Sequence, residues 1–116
     1  MEGIRVIATC PRVPGDHLAE FKQAAAKALD VARGETTTLR YDWFLSDDEA
    51  ACVAFEEYAD SAALLAHVGS LGPLFGTLLE LGGECRFDVF GDASAEVRAA
   101  MDGLDATFFP SPFQGK

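Results

Sequence analysis

Basic residues are scarce in this chain, and the scarcity excludes a good deal. Nine lysines and arginines stand against nineteen aspartates and glutamates, for a net charge of −10. A polyanion would be repelled, which argues against nucleic acid and against an anionic membrane surface as partners. Long hydrophobic runs are also missing. No apolar stretch approaches the ~20 residues of a membrane span, and the opening "MEGIRVIATCPR" lacks the basic start and long apolar run of a secretory signal. The expected setting is therefore cytoplasmic. Cysteine is limited to Cys10, Cys52 and Cys85, an odd number, far apart and without a CxxC pair. Neither His17 nor His67 stands at zinc-ligand spacing from any of them. Each cysteine falls among apolar residues in a strand-like stretch, so all three are read as buried structural thiols.

What is present fits one globular domain spanning 1–116. Hydrophobic residues make up 49% and charged residues 24% of the 116 positions, with no linker, repeat or low-complexity segment. "GIRVIATC" (3–10) reads as a strand stopped by Pro11. In "PGDHLAEFKQAAAKALDVAR" (14–33), Leu18, Phe21, Ala25, Ala28, Leu29 and Ala32 keep a helical period, with Asp16 placed to cap and Gly34 to stop. "TTTLRYDWFLS" (36–46) alternates: Leu39, Tyr41, Trp43 and Leu45 point one way, Arg40, Asp42 and Phe44 the other. After a turn at 47–49, "ACVAFEEY" returns as the second arm of a hairpin ending at Tyr58. A short helix (60–68) follows, capped by Asp60 or Ser61 and stopped by Gly69, and Pro73 opens another helical piece. "ECRFDVFG" (84–91) is a further strand, "SAEVRAAMDG" (94–103) a last helix, and "ATFFPSPF" (106–113) an apolar segment with room for a short strand.

The order β-α-β-β-α-α-β, with a helix and a possible strand after it, is an α+β, ferredoxin-like split β-α-β with an antiparallel sheet. Its helices cover one face of that sheet. Yet both faces carry large apolar groups: Ile4, Val6, Tyr41, Trp43, Phe87 and Val89 on one, Ile7, Phe44 and Phe90 on the other. The expected solution is a homodimer, sheet against sheet, with a cavity between or beside the sheets. Glu56 and Glu57 are neighbours on a strand, point to opposite faces, and so do not form a carboxylate pair.

Glu56, Tyr58, Asp60, Ala63 and His67 follow the pattern E-x-[YW]-x-D-x-x-A-x-x-x-H. That pattern resembles the antibiotic biosynthesis monooxygenase family of dimeric α/β barrels, which includes small quinol monooxygenases. "VIATCPRVPGDHLAEF", "ARGETTTLRYDWFLSDD" and "HVGSLGPLF" are similar to it as well, so the likeness covers nearly the whole chain. One departure is "SLGPLF", where Gly72 and Pro73 stand in place of the second histidine of many relatives. Haem-degrading monooxygenases share the fold and need an asparagine, a tryptophan and a histidine; this chain has no asparagine, and Tyr58 stands where the motif can hold tryptophan.

The resemblance implies an oxygenase without flavin, haem or metal, in which an aromatic, phenolic or quinol-type substrate activates O2 itself. The protein then supplies a dry slot, a base and a donor for the developing anion. The candidates are His67 as base, with Tyr58 and Tyr41 as further catalytic candidates. Trp43 and Phe75 would wall a flat substrate, and Arg40 or Arg86 would stabilise an anion. The alternative is a non-catalytic dimeric barrel that binds a hydrophobic small molecule or a protein partner. The two part on whether His67 faces a closed cavity or solvent.

Overall fold

The computed structural model describes residues 3–116. Along the chain run β1 (Ile4–Cys10), a 3-10 turn (Gly15–His17), α1 (Leu18–Arg33), β2 (Thr38–Leu45) and β3 (Cys52–Tyr58). These are followed by α2 (Ser61–Leu71), α3 (Pro73–Gly82), β4 (Arg86–Phe90), α4 (Ala95–Ala100) and β5 (Ala106–Phe109). The strands form one sheet in the order β2-β3-β1-β4-β5. All pairings are antiparallel except β4 with β5. This is the ferredoxin-like α+β arrangement that the alternation and helical periods predict, widened by one strand. The C-terminal segment extends the sheet edge through β5.

α1 forms because small apolar residues recur on one stripe. Phe21, Ala24, Ala28 and Ala32 are buried there and meet Leu71 and Leu78 in the core. No side chain caps α1; Asp16 lies within the preceding 3-10 turn instead. α2 starts where expected: the Asp60 Oδ1 accepts the Ala63 N–H at 2.8 Å, a cap worth about 1 kcal/mol. It does not stop at Gly69. Glycine weakens a helix interior by about 1 kcal/mol without ending it, and the turn comes at Gly72, whose φ of 55° only glycine adopts freely. Pro73 then starts α3, bent 83° from α2. Among the described residues no single helix is long and apolar enough to cross a membrane.

Two readings of the strands and cysteines need correction. Leu39 does not share a face with Tyr41 and Trp43. A register shift between Thr38 and Arg40 makes it an extra, exposed residue in β2. Cys10 and Cys85, 75 residues apart, form a disulfide, while Cys52 is free and buried. The β1–β4 ladder pairs Thr9 with Arg86, which carries the ends of the two strands side by side. The bridge is packed so closely under α3 that a Cβ on Gly82 would stand 2.8 Å from one sulfur and 2.9 Å from the other.

The helices cover the sheet face bearing Ile4, Val6, Tyr41, Ala54, Tyr58, Phe87 and Val89. The opposite face carries Phe44 (50% exposed) against Phe55 (39% exposed), ring centroids 5.3 Å apart. Exposed ion pairs share it, Arg40 with Asp42 at 2.6 Å and Arg5 with Glu57 at 3.6 Å. Each is worth only about 0–1 kcal/mol.

Candidate active site

The buried residues fall into two clusters, and a cavity of about 80 Å³ is lined by members of both. It lies inside one chain, between the sheet and α2, α3 and α4. The 83° bend at Gly72 turns α3 away from α2, and side chains of α4 and the residues after it close the remaining side. The walls are almost wholly apolar. The polar exceptions include His67, Glu56, Tyr41 and Trp43.

His67 is brought in by α2. Asp60 fixes the start of the helix, and Ala63, Leu64, His67 and Leu71 then share its buried face. The imidazole is 2% exposed. Its Nδ1 lies 2.6 Å from Glu35 Oε1, a residue just beyond α1. Burial opposes ionisation of Glu35, yet hydrogen bonds from His67 and Thr38 prevail and hold its carboxyl below the usual range. An ionised carboxylate only accepts, so Nδ1 carries the hydrogen. Nε2 is then left on the far side of the ring, with no partner among the described residues. An unpartnered buried nitrogen costs about 1–3 kcal/mol, which is expected where a ligand completes the bond.

A second polar group comes from the sheet. Tyr41, Glu56 and Val6 are ladder neighbours on the covered face. The Tyr58 hydroxyl donates to Glu56 Oε1 at 2.5 Å. Burial pushes the Glu56 carboxyl up to about 7, against the stabilising bond from Tyr58. Burial, together with nearby carboxylates, also pushes both tyrosine phenols well above their ordinary value. Tyr41 and Tyr58 therefore act only as neutral donors. The Tyr41 and Tyr58 rings lie 4.7 Å and 5.5 Å from the His67 ring. Trp43 packs edge-on against Phe21 and Tyr41, and its Nε1 has no partner among the described residues.

Of the residues singled out from sequence, His67, Tyr41, Trp43 and Phe75 line the cavity together. Tyr58 is fully buried behind Glu56 and is not part of the lining. Arg40 and Arg86 do not come to the cavity. Both are exposed, and Arg40 is paired with Asp42. They alternate with Tyr41 and Phe87, so they must face the other way. His17 stays in the 3-10 turn, away from the lining. Sequence reasoning missed Glu35 and the inward role of Glu56. The alternation that puts Tyr58 on the covered face puts Glu56 there too; nothing local marks Glu35.

A small apolar chamber with an oriented histidine, a carboxyl pushed up to about 7 and no lysine or arginine among the described residues of its wall suits proton transfer on an uncharged ligand. Residues 3–76 match the antibiotic biosynthesis monooxygenase family, and the chain belongs to that family. No functionally curated protein matches the chain by sequence. Among solved structures, MupZ from Pseudomonas fluorescens is 19% identical; the match covers 100% of this chain and 95% of that one, with a TM-score of 0.79. A conserved protein from Methanosarcina mazei is 22% identical, with 77% and 91% of the two chains covered and a TM-score of 0.68. A variant of SnoaB, a cofactor-independent oxygenase from Streptomyces nogalater, is 18% identical over 82% and 97% of the chains, with a TM-score of 0.65. At these identities the likeness shows the fold.

Proposed function

We propose that the protein is a cofactor-independent monooxygenase that oxidises a small phenolic or quinol-type molecule with O2, using His67 as its base. The observation that carries this reading is the unpartnered Nε2 of a buried histidine at the wall of an apolar cavity. Membership of the monooxygenase family supports it, as does the fold shared with an oxygenase that works without a cofactor.

His67 Nε2 takes the phenolic proton, and Glu35 holds the ring and stabilises the imidazolium formed. The phenolate is electron-rich and reduces O2. One oxygen atom joins the ring, the other leaves as water, and the substrate supplies all four electrons, so a phenol becomes a quinone. The donor for the developing negative charge in this reading is the Trp43 Nε1–H, which has no partner among the described residues, in place of Arg40 or Arg86. A cavity that holds benzene measures about 150 Å³, larger than the one here, so a ring enters only as the wall yields. Met101, flexible and at the α4 side, is suited to that.

The working unit in this reading is a cytoplasmic homodimer joined through the sheet face that bears Phe44 and Phe55. The test is ¹⁸O2 incorporation during turnover of a hydroquinone panel by metal-stripped protein. One labelled oxygen in the product supports the reading, and unlabelled product overturns it. The second reading is a non-catalytic hydrophobic-ligand binder, favoured by the apolar lining; tight ligand binding without oxygen uptake would select it.

A further inference from the structure

We propose that Glu56 is the acid partner of His67, and that the pair moves a proton across a small uncharged ketone in a reaction that needs no oxygen. The proposal rests on the reading of His67 as base, and it adds both a second reacting group and a substrate class.

The placement comes from the sheet. Glu56 stands opposite Tyr41 in the β2–β3 ladder and opposite Val6 in the β1–β3 ladder, and all three line the cavity. Tyr58, two residues on, points to the same face and occupies one carboxyl oxygen. That bond engages Oε1 alone, and the carboxyl group lines the cavity. His67 faces the same chamber from the helix side. The Tyr41 and Tyr58 rings lie against its own. Carboxyl and imidazole thus bracket one apolar space, one from the sheet and one from α2. Burial keeps Glu56 protonated up to about 7, and a carboxylic acid held neutral in an apolar site donates well to a carbonyl oxygen.

The chemistry balances without an oxidant. The ketone oxygen accepts the hydrogen bond, and then the proton, of Glu56. His67 Nε2 removes a proton from the α-carbon; the C–H electrons form a carbon–carbon double bond, and the carbonyl π pair moves to oxygen. In a β,γ-unsaturated ketone the resulting dienol takes its proton back from His67 at the γ-carbon. Glu56 recovers its own proton as the carbonyl re-forms. The product is the conjugated isomer, and both residues return to their starting states. No lysine or arginine lines the cavity to hold an anion, which selects a neutral ketone over a carboxylate or phosphate. The same enolisation would make the keto form of a phenol reactive towards O2.

The probe is 3-cyclohexenone, incubated with the whole protein under nitrogen and followed by the rise of 2-cyclohexenone absorbance. Oxygen uptake with the hydroquinone panel is measured on the same preparation. The wild type should isomerise the probe. His67→Ala should slow isomerisation by about 10²-fold or more. Glu56→Gln, which can still accept from Tyr58, should slow it at least about tenfold with a melting temperature no lower than the wild type's. In the wild type the rate should fall as pH rises past about 7; in Glu56→Gln that alkaline fall should vanish. A Glu56→Gln protein with the wild-type rate and pH profile overturns the proposal. So does a wild type that consumes oxygen with hydroquinone but leaves the probe unchanged, and that result spares the oxygenase reading. Isomerisation without oxygen uptake supports this proposal and removes the oxygenase reading instead.

Discussion

His67 and Glu35 are 32 positions apart in sequence, yet the imidazole Nδ1 and the carboxylate Oε1 stand 2.6 Å apart inside the fold. The pair fixes the tautomer of the ring and aims Nε2 away from Glu35. Replacing Glu35 by Gln keeps an acceptor in place and removes the charge that would stabilise an imidazolium. Turnover should fall by roughly 10–10²-fold while the protein stays folded. Steady-state rates and a melting curve on the same sample check this; a drop that merely follows unfolding would contradict it.

Glu56 makes stability depend on pH in a defined direction. Its folded value, raised from 4.5 to about 7, means that the folded state binds the proton more tightly than the unfolded chain. Its contribution is complete below about 4.5 and is lost as pH rises through about 7. The size is at most about 3 kcal/mol, since each unit is worth about 1.4 kcal/mol. Denaturant unfolding of wild type and Glu56→Gln between pH 4 and 8 should give curves that run together at the acid end, where both side chains are neutral, and part towards the alkaline end as the wild type loses stability. Parallel curves would remove the buried-acid assignment.

Trp43→Phe separates the donor from the ring. Phenylalanine keeps most of the packing against Phe21 and Tyr41, so stability should change by less than about 1.5 kcal/mol. If Nε1–H meets developing charge, kcat should fall about tenfold or more with KM little changed. An unchanged kcat would confine Trp43 to packing.

The element order was legible because strand alternation and helical period are local signals. The direction of His67 was left open between cavity and solvent; the structure turns it inward, on the buried face of a short helix capped by Asp60. Arg40 and Arg86 were misplaced against a signal already in hand: each alternates with an aromatic of the covered face, and neighbours on a strand cannot share a wall. The site of the cavity was not legible. It depends on the 83° turn between α2 and α3 and on how α4 settles, both long-range outcomes. Glu35 and the Cys10–Cys85 pairing were hidden for the same reason, since each needs the tertiary register before its partner is defined.

That pairing has a direct chemical check. Unreduced protein, denatured, should present one titratable thiol, Cys52, and three after reduction. A bridge closing so long a loop should stabilise the fold by about 2–4 kcal/mol. Three thiols without reductant would contradict it. Disulfides are rare in the cytosol, so this count also bears on the compartment.

Assembly is checked by light scattering. A dimer through the open sheet face should give about twice the 12.4 kDa chain mass. Phe55→Asp, placing a charge beside Phe44, should give the single-chain mass without unfolding the protein. A wild-type monomer at micromolar concentration would leave the apolar face without the proposed partner.

The most direct measurement compares oxygen consumption by wild type and His67→Ala, both metal-stripped, across a panel of hydroquinones and other phenols. Melting temperatures are recorded on the same samples. The expected result is turnover of at least one panel member by the wild type and a loss of about 10²-fold or more in a folded His67→Ala protein. Full activity in a stable His67→Ala protein would contradict the central claim and take the histidine out of the mechanism.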